Sequence, residues 1–266
     1  MTSWEFPGSE PIDILIDVAS GSIAVSAEPA DVTTVLLEAS GRGGDLLLSE
    51  ISVTFSQGRL EIIEPKDVRN RLRGHPRLDV TVTAPAGSSC VLRTASADVS
   101  CMGRLGGLEA RTASGDVTAG SVTGPLEVRT ASGDVWLERA GATAEVNTAS
   151  GDIQLRQADG DVLVQTASGD VAIGQAAASV RVQTASGDTR VGSAASGAVS
   201  TKTASGDTQV GVAPGVGVYL DLSSLTGTIS SELDETDGHD GVGLQVSCRS
   251  VTGGIRITRA DSVPAV

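Results

Sequence analysis

The chain has 266 residues, 39% of them hydrophobic, and a formal net charge of −14. That suffices for a sizeable core, but two Phe, two Trp and one Tyr leave the core to be built from Val, Leu, Ile and Ala. The acidic balance excludes nucleic acid or an anionic membrane as a partner of the body as a whole.

The first segment, MTSWEFPGSEPIDILIDV, has no basic n-region leading into an apolar stretch, and nothing in the chain approaches the roughly 18 apolar residues of a membrane span. The sequence therefore reads as soluble and cytoplasmic, with export by a route lacking such a signal as the alternative. Residues 12 to 65 carry the strand-like runs IDILIDV, TTVLLEA, DLLLSEISVTF and RLEIIE, which are expected to form irregular coils or an end cap. Next comes KDVRNRLRGHPR, the single basic cluster, with Lys66, Arg69, Arg71, Arg73 and Arg77. It is either a solvated loop or a contact site for an acidic partner or a phosphate.

From Thr94 onward one motif dominates. TASGDV or a close variant begins at 94, 112, 130, 148, 166, 184 and 203, in five steps of 18 and one of 19. Within the copy TASGDIQLRQADGDVLVQ, Ile153 and Leu155 alternate with polar residues, as do Val162 and Val164. This is a strand pattern, and no helical spacing competes with it. The two halves of a copy also resemble each other, so each repeat supplies two strands and two corners. One such coil cannot bury its apolar face alone, whereas stacked coils place Val over Val at about 4.8 Å. The expected fold is all-β: a β-solenoid, or single-stranded β-helix, of 18-residue coils flattened into two sheets. VASGSI at 18 to 23, SLTGTI at 224 to 229 and SVTGGI at 250 to 255 extend the register with the aspartate lost. A single domain over 1–266 is expected, with irregular coils or a cap at 1–90, regular repeats at 91–212 and degenerate coils and a tail at 213–266.

The repeat aligns Asp98, Asp116, Asp134, Asp152, Asp170, Asp188 and Asp207 in an outward column at one corner. Carboxylates about 4.8 Å apart repel by roughly 0.9 kcal/mol in water-like dielectric and about 3.5 kcal/mol at a dielectric of 20. Three compensations are available. Turn N–H groups and the Ser and Thr hydroxyls of TASG can donate to the carboxylate, making it a structural turn residue. The column before each Thr, which starts Arg93, Arg111, Arg129 and continues Asn147, Gln165, Gln183, Lys202, can pair with Asp in its early coils. A cation such as calcium can sit among Asp134, Asp152, Asp170 and Asp188, where the arginines give way to amides. The nine-residue calcium-binding β-roll repeat is no template for this, because there Asp shares the parity of the apolar residue and here it does not.

No catalytic constellation appears. The Asp recurs in every coil rather than once, His75 and His239 are the sole histidines, and GxSxG, P-loop and HExxH patterns are lacking. The acidic stretch around His239 reads as a loop. Cys90, Cys101 and Cys248 align with Leu108, Leu137 and Val146 of the repeat and are expected to point inward as small apolar fillers. Trp136 takes an outward position held by Thr118, Gln154 and Ala172 in other coils, which makes it a candidate contact residue.

The TASGDV turns at 112, 130, 148 and 166, the preceding RLDVTVTAPAGSSCVLRTASADV and the closing CRSVTGGIRI resemble the bacterial β-strand-repeat family of unknown function labelled "putative adhesin", of the actinobacterial type. The resemblance covers nearly the whole chain. It implies the solenoid architecture and brings no catalytic motif with it. The functional expectation is a non-enzymatic rigid module for binding, adhesion or scaffolding, with no cofactor, that meets a protein partner or its own copies through the solenoid ends. The alternatives are a calcium-stabilised exported rod and, more remotely, a carbohydrate-active β-helix enzyme.

Overall fold

The computed structural model describes residues 1–65, 76–233 and 243–260, and in it the chain is a β-solenoid whose strands alternate between two sheets. Residues 153 to 168 show how one coil is built. Ile153–Ala158 turns Ile153, Leu155 and Ala158 inward, Val162–Ser168 turns Val162, Val164 and Thr166 inward, and all six are buried. The following coil lies parallel and in register, Ile153 beside Val171 in one sheet and Val162 beside Val180 in the other. Branched side chains thus stack in columns between the sheets. Full burial of one such side chain contributes about 1.5–3 kcal/mol, so stability comes from stacked columns rather than from any coil by itself.

The chain divides into two compact units, Met1–Asp134 and Val135–Val266. In the first, one sheet has the spatial order Thr2–Pro7, Val32–Ser40, Arg77–Pro85, Gly21–Glu28, Asp98–Leu105, Val117–Val122. The other runs Ser52–Ser56, Arg59–Ile63, Asp13–Val18, Ser89–Thr94, Gly107–Arg111, Leu126–Ser132. The first coil, residues 13 to 28, therefore has later parts of the chain on both sides. VASGSI holds the expected register, with Val18 beside Thr94 and Ile23 beside Val99.

Outside that coil the pairing of Thr2–Pro7 with Val32–Ser40, of Val32–Ser40 with Arg77–Pro85 and of Ser52–Ser56 with Arg59–Ile63 is antiparallel. The rings of Phe6 and Phe55 stack 4.7 Å apart, joining the outermost strand of each sheet. Two of the chain's few aromatics thus seal the end of this unit. The run DLLLSEISVTF is not one strand, as its apolar content suggests: Gly44–Glu50 is a helix and only Ser52–Ser56 is extended. Leucines, which do not branch at Cβ, suit a helix, the chain enters it through Gly43 at φ 91°, and only Leu47 of the three leucines is buried.

In the second unit one sheet is ordered Val135–Ala140, Ile153–Ala158, Val171–Ala176, Thr189–Ala194, Thr208–Val212, Ile255–Arg259, Ile229–Ser231. The other is ordered Ala144–Ser150, Val162–Ser168, Val180–Ser186, Gly197–Ser205, Leu244–Thr252, Val218–Ser224. The last coil in the chain, residues 244 to 259, lies between the TASGDT coil at 203 and the coil of residues 218 to 231. SVTGGI and SLTGTI both keep the repeat register, Thr203 beside Ser250 and Ile229 beside Ile255. Among the described residues no helix is long and apolar enough to cross a membrane.

Candidate functional site: the aspartate corner

At each corner the main chain must turn out of one sheet and into the other without losing its bonds to the next coil. In the second unit the N–H of Gly169 reaches the carbonyl of Ser186 at 3.1 Å, and that of Val171 reaches the carbonyl of Asp188 at 2.8 Å. Between these two bonds the N–H of Asp188 is taken by a side chain, Asp170 Oδ1, at 2.8 Å. The same hand-over joins Asp170 N–H to Asp152 Oδ1 at 2.8 Å and Asp207 N–H to Asp188 Oδ1 at 2.7 Å. It ends where Gly254 N–H meets Asp207 Oδ1 at 2.7 Å. In the first unit Asp116 N–H meets Asp98 Oδ1 at 3.2 Å, and Asp134 N–H meets Asp116 Oδ1 at 2.9 Å.

Each carboxylate oxygen thus stands in for a main-chain carbonyl that the bend carries out of the ladder. An N–H with no acceptor is costly, and a bond to a charged acceptor is roughly twice as strong as a neutral one. This offsets the repulsion along the column. The hydroxyls take another route: Thr148, Thr166, Thr184 and Thr203 donate to the carbonyls of Ser150, Ser168, Ser186 and Ser205, within the same corner.

The glycine of the motif is required twice over. Gly187 has φ 134°, and a Cβ placed there would lie 2.2 Å from the carbonyl oxygen of Gly169 in the coil beneath. Corner stacking therefore brings backbone onto backbone, with the carboxylates at its rim.

The opposite corner uses the same device more sparsely. Asp161 Oδ1 accepts Ser179 N–H at 3.1 Å, and Ser179 Oγ accepts Ala198 N–H at 3.3 Å. The similarity of the two half-repeats was the available signal for these positions.

Two arginines of the column before Thr pair with glutamates on their own strands. Arg111 Nε lies 3.0 Å from Glu109, and Arg129 Nε lies 2.7 Å from Glu127. Arg and Glu two residues apart on one strand share its outer face. In the second unit Asn147 donates to Glu145 Oε1 at 2.8 Å.

Trp136 is 39% exposed and stands beside Gln154 on the outer face of its sheet. Arg77 opens the strand Arg77–Pro85 at an exposed position, while Lys66, Arg69, Arg71, Arg73 and His75 lie outside the described residues, as does His239. Cys90, Cys101 and Cys248 are buried free thiols; burial pushes Cys101 up to about 12 and Cys248 to about 11. Among the described residues no three Asp, Glu, His or Cys side chains converge as a metal-holding group.

Among solved structures the chain is similar to a "putative adhesin" from Bacteroides fragilis NCTC 9343, with 13% identity over 97% of this chain and 96% of that one and a TM-score of 0.36. It is also similar to a "putative lipid binding protein" from Parabacteroides distasonis ATCC 8503, with 15% identity over 95% and 96% and a TM-score of 0.42. No curated protein matches it. The model of the Toastrack DUF4097 family matches residues 13–231, a stretch that begins with the first coil and takes in every TASGDV corner. On that match the chain belongs to the Toastrack DUF4097 family.

Proposed function

We propose that this chain is a non-enzymatic binding or scaffold module, adhesin-like in kind, that associates with a protein partner or with its own copies through the ends of its solenoid. The observation that supports this most is the use made of the one repeated reactive group. The Oδ1 atoms of Asp98, Asp116, Asp152, Asp170, Asp188 and Asp207 accept main-chain N–H groups of the neighbouring coil, so the column serves the stacking of coils. It is turn chemistry rather than an acid–base pair or an ion site. What is left for recognition is the outer faces and the terminal strands, whose main-chain groups are a ready template for pairing.

Sedimentation velocity of the full chain over a hundredfold range of concentration tests the reading. Reversible association, or a partner that binds stoichiometrically to the purified chain, supports it; a strict monomer without any such partner overturns it.

A further inference from the structure

We propose that the strand Val218–Ser224 pairs antiparallel with the same strand of a second copy, centred on Leu220, to give a two-fold dimer through this end of the second unit. The inference rests on the association reading above and names its surface, partner and register.

The two ends of the chain are finished differently. The first unit closes with antiparallel strands, a helix and the stacked Phe6 and Phe55. In the second unit Val218–Ser224 and Ile229–Ser231 are the last strands of their sheets, and among the described residues nothing pairs with their outer edges. Exposed apolar side chains gather on this coil: Tyr219 at 57%, Leu225 at 77% and Ile229 at 42%. Val218, Leu220 and Leu222 face the core direction yet are only half-buried, where their counterparts Leu244, Val246 and Cys248 in the adjoining strand are fully buried. The strand VYLDLSS contains neither Lys nor Pro, the residues that commonly blunt a free edge.

The direction of the main-chain groups fixes what the free edge offers. The carbonyl of Gly217 accepts from Gly243 and Leu244, and the N–H of Leu225 donates to Ser250, so the odd-numbered residues turn toward the adjoining strand. By the period of two, Val218, Leu220 and Leu222 present their N–H and C=O groups outward. An antiparallel copy centred on Leu220 forms about six hydrogen bonds with these groups, because Leu220 faces itself and Val218 faces Leu222. On the outer surface Tyr219 then stands opposite Asp221 of the copy. A register centred on Asp221 would set two carboxylates face to face, and one centred on Tyr219 would set Leu222 against Val216, which lies outside the strand and already gives its N–H to Ala213. The strand is therefore complementary to itself, which favours a second copy over an unrelated strand.

Tyr219 and Asp221 of the copy form a non-hydrogen-bonded pair in this arrangement, the closer of the two pair types and one that a disulfide can span. Full-length Tyr219→Cys and Asp221→Cys are prepared separately and oxidised mildly, alone and as an equal mixture. The three native thiols are buried and do not compete. The expected result is at least tenfold more disulfide-linked dimer in the mixture than in either variant alone. Efficient linkage in Tyr219→Cys alone or Asp221→Cys alone overturns the register. A wild-type chain that dimerises by sedimentation but gives no linkage in any sample overturns this interface while leaving the association reading intact; a monomer overturns the interface, and a monomer that also binds no partner stoichiometrically overturns both.

Discussion

Replacing Asp170 separates its charge from its service as a hydrogen-bond acceptor. Oδ1 of Asp170 receives the N–H of Asp188 at 2.8 Å, and its own N–H is received by Asp152 at the same distance. Asp170→Asn keeps an oxygen in that position and removes one charge from the column. Relief from two neighbours about 4.8 Å away, at roughly 0.9 kcal/mol each in water-like surroundings, favours the variant by about 2 kcal/mol. Conversion of a charge-assisted bond into a neutral one costs about 1 kcal/mol. The expected net change lies within about 1 kcal/mol of zero. Asp170→Ala gains the same relief but removes the acceptor altogether, so it should fall about 1–2 kcal/mol below Asp170→Asn. Urea unfolding of the three proteins measures both differences. If Asn proves as damaging as Ala, the charge itself holds the corner, as a bound cation would require, and the acceptor argument fails.

Other substitutions probe the neighbouring links. Thr189 follows Val171 in a column that holds Val or Ile in the preceding coils and Thr208 in the next, is 2% exposed, and its hydroxyl has no hydrogen-bond partner. Thr189→Val should raise stability by about 1–2 kcal/mol in the same assay. Gly187→Ala forces a Cβ to within 2.2 Å of the Gly169 carbonyl at a φ of 134°, and should cost about 3 kcal/mol or more or prevent folding. Cys101 keeps its proton when folded up to about pH 12, whereas an unfolded thiol releases it near 9.0. The folded state then binds more protons than the unfolded one across that interval, so stability should fall as pH rises from 9 toward 12. Thermal melts of Cys101→Val against wild type should show a shallower alkaline decline.

The sequence makes the coil legible because its information is local and repeated. Ile153, Leu155, Val162 and Val164 alternate within a few residues, and seven aligned copies remove the ambiguity of any one short run. Burial of the Thr166 column follows from the same parity. Burial of Ala158 does not, because the strand changes parity between Leu155 and Ala158, as the omission of Arg156 from the ladder records. The corner was legible as a corner, but the partner of each Asp lies 18 or more residues on, in another coil, where turn rules that look two or three residues ahead do not reach. Gly44–Glu50 illustrates the limit of apolar content: three consecutive leucines fit a strand or a helix, and the packing of Leu47 decides. The order of the terminal coils is equally non-local. Nothing in SLTGTI or SVTGGI says which will lie against the TASGDT coil at 203, because both fit its register.

The claim that most needs direct proof is that the aspartate side chains carry the inter-coil ladder around the corner. Amide hydrogen exchange resolved to single residues addresses it at Asp170, Asp188 and Asp207, whose N–H groups are each held by a carboxylate oxygen. The account predicts that these amides are protected to the degree of the adjoining strand amides, and that Asp170→Ala abolishes protection at Asp188 while sparing Asp207. Free exchange of all three amides in the wild-type chain would contradict it.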